Sequence, residues 1–363
     1  TLFPYTTLFR SDFRERIQVQ GDMISKEDTM RLGNRLLSMD FGVYPTMFDY
    51  CLAMALLYFK EQKCDVVILE TGLGGTYDST NACGVPDVTV IAKIGFDHMA
   101  ILGDTLAKIA AEKAGIIKHG TALVLESQEK EAMDVLNKAA ERADIETTKV
   151  INLDEIRILP QKDGKQCFSY AGYDAVTMKM LGVHQYENAV AAMLAAELFF
   201  EKYFAGKKNV PERKALQHAI REGIDRTQWM GRMELVSNDP FFLMDGAHNS
   251  NGVEALKKSL ETMYPDEKFH FIMGVMADKD YGEMIRELLP LALDFKTVTV
   301  ESERALQGEA LADCIREKGI PAEAYQNLAD VLPDFSKSST EKTVAFGSLY
   351  FIGEIEAFLQ GKQ

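Results

Sequence analysis

The sequence predicts an α/β protein of two domains, each built on a parallel-rich sheet, and three observations carry that expectation. Short β-branched runs alternate with longer helical stretches, the pattern of strand–helix–strand units. The runs at residues 65–69 and 88–94 are largely apolar without alternation, as strands are when helices cover both faces. The alternation breaks in the middle of the chain and restarts after Trp229, and 363 residues at roughly 150 per domain favour two cores over one.

Taken in order, residues 1–11 (TLFPYTTLFRS) hold no acid and fit no periodic element; they read as a foreign leader joined near Asp12, without the basic start and long apolar core of a secretory signal. Ser25-Lys26-Glu27-Asp28 reads as a helix cap, and residues 45–59 as an apolar helix opening on Pro45. Residues 65–69 and 88–94 read as buried strands, 106–117 as the helix between such strands, 121–125 as a strand and 129–142 as a helix. Residues 156–180 alternate around Asp163-Gly164, a hairpin signal, and helices are expected over 185–204 and 211–221. Strands then follow near 241–244, 269–273, 297–300 and 343–346, each with a helical stretch behind it. The division falls near residues 236–240, giving domains over 12–236 and 237–363, with small ligands expected in the cleft between them.

Composition narrows the function classes. A net charge of −15 repels nucleic acid and anionic membranes, so neither is expected as a partner, and anionic substrates would need local basic residues to hold them. The chain holds no run of 18 uninterrupted apolar residues. Five cysteines without CxxC spacing suit neither a disulfide framework nor a zinc site, which makes a reducing cytoplasm the simplest compartment.

The stretch 70–81, ETGLGGTYDSTN, follows the first predicted strand. In open α/β sheets ligands bind at carboxyl ends of strands, so the glycines would turn the chain there and bring Glu70 and Asp78 toward the cleft. It lacks the lysine and hydroxyl of a phosphate loop, and by itself it is equally a tight turn. The second strand ends in Gly95-Phe96-Asp97-His98, and adjacent strand ends carrying Glu70 and His98 could hold one divalent cation beside a substrate phosphate; alone, His98 is equally a hydrogen-bonded histidine.

Six segments in this order, ETGLGGTYDSTN, GFDHMAILGDTLAKIAAEKAGIIK, HQYENAVAA, GRMEL, DGAHN and FGSLY, closely resemble folylpolyglutamate synthase, often bifunctional with dihydrofolate synthase, within the Mur ligase superfamily. The resemblance runs from Asp12 to roughly the C-terminus. It implies a central P-loop-like ATPase domain that binds ATP and folate over 12–236 and a Rossmann-like glutamate-ligase domain over 237–363. It further implies ATP and Mg²⁺ as cofactors, with K⁺ a further candidate, and a monomer. Carried over residue by residue, it makes Glu70, His98 and a carbamylated Lys113 the metal ligands, with Lys113 and His98 the catalytic pair. Asn188 matches the residue that reads adenine, Arg232 a phosphate contact, and Asp245, with His248 nearby, the ATP-binding acid. Thr46, Phe48, Asp49, Tyr77, Asp78 and Ser79 resemble the substrate segment.

The reaction so implied joins L-glutamate to a folate or to dihydropteroate through an acyl phosphate. The family opens on a strand and a GTNGKGS loop, whereas here no Gly-Lys is followed by Ser or Thr: Gly164-Lys165 precedes Gln166, Gly206-Lys207 precedes Lys208 and Gly361-Lys362 precedes Gln363. Such a loop supplies much of phosphoryl transfer, so the chain as given is expected to be inactive or nearly so, with its first sheet short of a neighbour. The alternatives are another Mur-type amide ligase, such as a peptidoglycan ligase, and a non-catalytic nucleotide- or folate-binding remnant. A dehydrogenase is disfavoured because no GxGxxG opens a βα unit.

Overall fold

The structure is a computed structural model that describes residues 12–162 and 164–361. The leader assigned to residues 1–11 and Asp163 of the hairpin turn lie outside the described residues. The chain begins with a short antiparallel hairpin, β1 (Gln18–Val19) and β2 (Asp22–Met23), followed by helices α1 (Lys26–Leu37) and α2 (Met47–Glu61). Ser25 caps α1 by accepting the Asp28 N–H at 3.0 Å, as its sequence suggests, and Thr46 and Asp49 form a reciprocal capping box on α2. Ile17, Ile24, Leu32, Leu36, Met54 and Tyr58 close into a small core of their own.

The next unit is a three-stranded parallel sheet of β3 (Val88–Ile91), β4 (Ala122–Leu125) and β5 (Thr148–Val150), with α3 (Met99–Leu102), α4 (Leu106–Ala114) and α5 (Lys130–Arg142) in its connections. Leu123 and Leu125 face Ile109, Ala110 and Leu136 on one side, while Ala122 and Val124 pack with Ala189, Val190 and Met193 on the other. That two-sided burial explains why β4 reads as a continuous apolar run. An antiparallel sheet of β6 (Arg157–Lys162), β7 (Lys165–Tyr170) and β8 (Tyr173–Met178) follows, then α6 (His184–Phe204) and α7 (Arg213–Arg226).

One predicted strand is corrected. Residues 65–69 join no sheet, and their backbone groups bond to no other backbone group among the described residues. Val66, Val67, Ile68 and Leu69 are 49, 43, 91 and 37% exposed. A β-branched run becomes a strand only when a neighbour supplies the other half of its ladder, and no described segment does so.

The C-terminal domain comprises β9 (Glu234–Asn238), β10 (Phe241–Met244), α8 (Ser250–Met263), β11 (Phe269–Met273), α9 (Tyr281–Leu288), β12 (Ala292–Val298), α10 (Gly308–Arg316), β13 (Ala322–Tyr325), β14 (Lys342–Phe346) and α11 (Leu349–Gln360). Its six strands run in the order β13-β12-β11-β14-β10-β9, all parallel except β9. Alternate residues face opposite layers: Leu243, Phe271 and Phe346 meet Leu256, Leu260 and Ile285, whereas Phe242, Ile272 and Ala345 meet Phe351, Ile352 and Ile355. The sheet takes in β9 and so begins ahead of residue 237, and β12 starts five residues before the expected 297. Edge strands β9 and β13 carry too little apolar patterning to stand out in the sequence.

Two contacts bind the domains near the crossover. Leu181 joins the C-terminal core, and the Val183 N–H donates to the Oγ of fully buried Ser259 at 3.1 Å. Among the described residues, no helix is long and apolar enough to cross a membrane.

Candidate functional site

The glycines of residues 72–75 are explained by contact with α4. A Cβ on Gly75 would lie 2.7 Å from the Glu112 carbonyl oxygen and 2.9 Å from that of Lys113, so only glycine lets the loop lie against the last turn of this helix. Thr76 fastens the contact, its N–H and hydroxyl both donating to the Glu112 carbonyl at 2.9 and 3.1 Å. Asn81 Nδ2 donates to the Gly115 carbonyl at 3.1 Å. The loop is therefore built around the turn that carries Lys113.

Asp78 organises the same loop from within. Its Oδ2 accepts the N–H groups of Gly72 and Leu73 at 2.8 and 2.9 Å, and its Oδ1 accepts the N–H and hydroxyl of Thr80 at 3.0 and 2.5 Å. The Ser79 hydroxyl donates to Asp49, whose other oxygen takes the Thr46 N–H at 2.6 Å, and a Cβ on Gly72 would meet the Phe48 ring. Thr46, Phe48, Asp49, Asp78 and Ser79 are thus gathered in one place, with Tyr77 standing out into solvent beside them.

The second strand end forms the junction between domains. After β3 the chain reaches His98 in a left-handed conformation at φ 49°, its N–H donating to Asp97 Oδ1 at 2.8 Å. Such strain in a non-glycine residue marks sites held by their surroundings. Here the surroundings come from the other domain: Asn249 Nδ2 donates to Asp97 Oδ2 at 2.9 Å, Asn251 Nδ2 donates to the Phe96 carbonyl at 2.9 Å, and Lys279 Nζ lies 3.8 Å from Asp97 Oδ1.

Electrostatics tie further groups to this point. Burial alone would raise the Asp97 carboxyl, but His98, Lys279, the His98 N–H and His248 together hold it below the usual range. Burial pushes Lys113 down from the ordinary lysine value, with the Asp97 charge opposing. His248 is lowered chiefly by burial, with Lys279 and Arg232 adding to it, and its Nδ1 lies 2.8 Å from the Gly246 carbonyl. A carbonyl only accepts, so Nδ1 carries the proton and Nε2 is left as an acceptor. Arg232 also bears on His184, which burial pushes down to about 4. Lys279 thus lies against Asp97, the Asp97 charge reaches Lys113, and Arg232 acts on His248 and His184, which gives local positive groups in a chain of net charge −15.

The remaining sequence-derived residues take different positions. Glu70 is exposed and has no hydrogen-bond partner among the described residues, and nothing there links it to His98. No cluster of three or more His, Cys, Asp or Glu suited to a metal occurs among the described residues. Nothing among the described residues brings Glu70 to His98 or to Lys113, and an unmodified Lys113 ammonium would repel a cation. Asp245 is 6% exposed and accepts the Met233 and Ala247 N–H groups, one on each oxygen at 2.8 Å, fastening the segment that carries Arg232 to the end of β10. Asn188 is exposed on the first turn of α6, its Nδ2 donating to Gln185 Oε1 at 3.0 Å.

Asp97, Asn249, Asn251 and Lys279 were not selected from the sequence. Asp97 and Asn249 stand inside recognisable segments, GFDH and DGAHN, but only the fold shows that the two touch. Lys279 has no local signal.

Two α/β domains meeting over a cation-lined junction place the chain among the Mur-type ligases. Residues 43–196 match the Mur ligase middle domain family, and residues 231–346 match the Mur ligase, glutamate ligase domain family. The dihydrofolate synthase/folylpolyglutamate synthase of Bacillus subtilis is 35% identical over 99% of this chain and 84% of its own length. The folylpolyglutamate synthase of Lacticaseibacillus casei is 28% identical over 98% and 83%. The crystal structure of folylpolyglutamate synthase from Thermotoga maritima aligns with a TM-score of 0.80 at 27% identity, covering 99% of this chain and 82% of that one. Mycobacterium tuberculosis folylpolyglutamate synthase, complexed with ADP, aligns at 0.81 and 27%, covering 97% and 83%. The chain belongs to the dihydrofolate synthase/folylpolyglutamate synthase family.

Proposed function

We propose that the protein joins L-glutamate to a folate, and to dihydropteroate as a second acceptor, at the expense of ATP. The observation that carries this reading is the junction where Asn249 and Lys279 of the C-terminal domain meet Asp97 beside His98. ATP lies with its adenine toward Asn188 and its phosphates toward Arg232, whose planar guanidinium suits phosphate oxygens. Thr46, Phe48, Asp49, Tyr77, Asp78 and Ser79 receive the folate or pterin. The acceptor carboxylate attacks the γ-phosphorus and ADP departs; the glutamate amine then attacks the acyl phosphate and phosphate leaves. Neutral His248 takes the proton lost by that amine on Nε2, and Lys279 keeps Asp97 ionised at the junction.

Glu70, His98 and a carbamylated Lys113 would hold Mg²⁺, which when bound neutralises charge on the phosphate oxygens. K⁺ is a further candidate cation. The reading includes a monomer working in the cytoplasm.

The test is phosphate release from ATP by the purified chain with L-glutamate and tetrahydrofolate or dihydropteroate supplied separately and together. Release that needs both substrates supports the ligase. Nucleotide binding without such release supports the second reading, a non-catalytic nucleotide- or folate-binding protein, which the missing Gly-Lys-Ser/Thr step favours.

A further inference from the structure

The ladder between β3 and β4 ends with the Glu126 N–H donating to the Ile91 carbonyl at 3.0 Å, yet the two segments stay joined for three more residues through side chains. Glu126, only 3% exposed, accepts the Lys93 N–H on Oε2 at 2.7 Å. Gln128 accepts the Ile94 N–H on Oε1 at 2.8 Å and donates Nε2 to the Ala92 carbonyl at 3.0 Å. The backbone at Ala92, Lys93 and Ile94 is thereby held as a ladder would hold it, and the chain enters the turn to Asp97 and His98 from a fixed point. A buried polar side chain is costly unless bonded, so Glu126 has to keep its bond to the Lys93 N–H and with it the attachment of this segment.

The same turn is held from its opposite side. The Ser127 N–H donates to Glu187 Oε1 at 2.6 Å, and Glu187 immediately precedes Asn188 on the first turn of α6. Residues 126–128 therefore touch both the segment that carries His98 and the helix turn that carries Asn188, two groups with no direct bond between them among the described residues.

We propose that Glu126, Gln128 and Glu187 are positioning residues that form one relay, so that the first turn of α6 sets the placement of residues 92–98. The roles of His98 and Asn188 rest on the ligase reading. The relay itself is read by backbone exchange, which needs no substrate, so failure of one is distinguishable from failure of the other.

The experiment is hydrogen–deuterium exchange on the full chain, comparing wild type with Glu126→Ala, Glu126→Gln, Gln128→Ala and Glu187→Ala. Loss of a hydrogen bond worth about 1.4 kcal/mol raises local exchange about tenfold, which is the change expected at residues 92–98 in Glu126→Ala and Gln128→Ala. Glu126→Gln keeps an acceptor and should restore most of the protection. The decisive variant is Glu187→Ala: Glu187 makes no hydrogen bond to residues 92–98 among the described residues, yet its loss should still raise their exchange several-fold. Unchanged exchange there in Glu187→Ala overturns the relay, as does a uniform rise across the domain in Glu126→Ala without rescue by glutamine. Should Glu126→Ala fail to fold, Gln128→Ala and Glu187→Ala, both at partly exposed positions, decide the matter alone.

Discussion

Asn249 and Asp97, 152 residues apart in the chain, are joined across the domain boundary by a 2.9 Å hydrogen bond. The same Asn249 side chain starts α8, its Oδ1 accepting the Gly252 N–H at 2.8 Å while its Nδ2 reaches Asp97. One amide thus begins a helix and closes the junction, and the two duties can be separated by substitution.

Asn249→Ser keeps a helix cap but cannot span to Asp97; Asn249→Asp keeps the cap and sets a carboxylate against a carboxylate. With a bond to a charged group worth about 1.5–3 kcal/mol, glutamate-dependent phosphate release should fall at least about tenfold in Asn249→Ser and further in Asn249→Asp. Thermal midpoints should fall by a few degrees, because the Asp97 bond also holds the folded domains together, but the helix itself should survive because the cap does. Equal activity in the two variants would show that the Asp97 contact is not what matters.

Lys113 gives a pH signature. Its folded pKa is lowered by burial, against the opposing charge of Asp97, so between that value and the ordinary lysine range the unfolded chain binds more protons. With Lys113 unmodified, stability should therefore rise with pH through that window and Lys113→Met should flatten the rise, whereas carbamylation, which removes the titrating amine, would already flatten it in wild type. Urea midpoints at pH 7, 8.5 and 10 measure it.

Glu126 has the opposite sign. Burial foremost, then the Glu187 charge, lift its carboxyl from 4.5 to about 7 against the Lys93 N–H. Between those values the folded chain holds a proton that the unfolded chain has released, so this contribution is full below 4.5 and lost as pH rises through about 7. Glu126→Gln should gain stability relative to wild type between pH 5 and pH 8 in urea titrations; a constant difference across that range would refute the burial argument.

Gly75→Ala drives a methyl into two backbone carbonyls that cannot move without shifting α4, and should cost about 1–3 kcal/mol by chemical denaturation. Gly223→Ala, in the interior of α7 with open space around its Cβ position, should be neutral or stabilising by about 0.5–1 kcal/mol.

The alternation of strands and helices and the cap at Ser25 follow from local chemistry, so the sequence alone makes them legible. The helix expected to open on Pro45 starts instead at Met47 behind a Thr46 cap, and the approach of Thr46, Phe48 and Asp49 to Asp78 and Ser79, expected only from the family resemblance, is made by the fold. What stayed hidden is non-local. β9 and β13 are edge strands whose identity comes from the neighbour they pair with, and residues 65–69 carry a strand signal with no partner among the described residues to realise it. The reason for the glycines also came from elsewhere in the chain: the turn follows its strand run as read, but the tight approach answers to the carbonyls of Glu112 and Lys113. Asn249, Asn251 and Lys279 meet the GFDH segment only because the fold brings residues more than 150 positions apart together, which no local window records.

The bare run at residues 66–69 sets how the protein behaves in the tube. Four adjacent aliphatic residues whose N–H and C=O groups meet no backbone partner among the described residues offer an edge on which a second molecule can add. Loss of material by that route is second order, so the time to lose half of it should shorten in proportion as concentration is raised, whereas loss by unfolding would not depend on concentration. Ile68→Lys puts a charge on the most exposed position of every copy; it should lengthen that time, seen by light scattering, with the thermal midpoint unchanged.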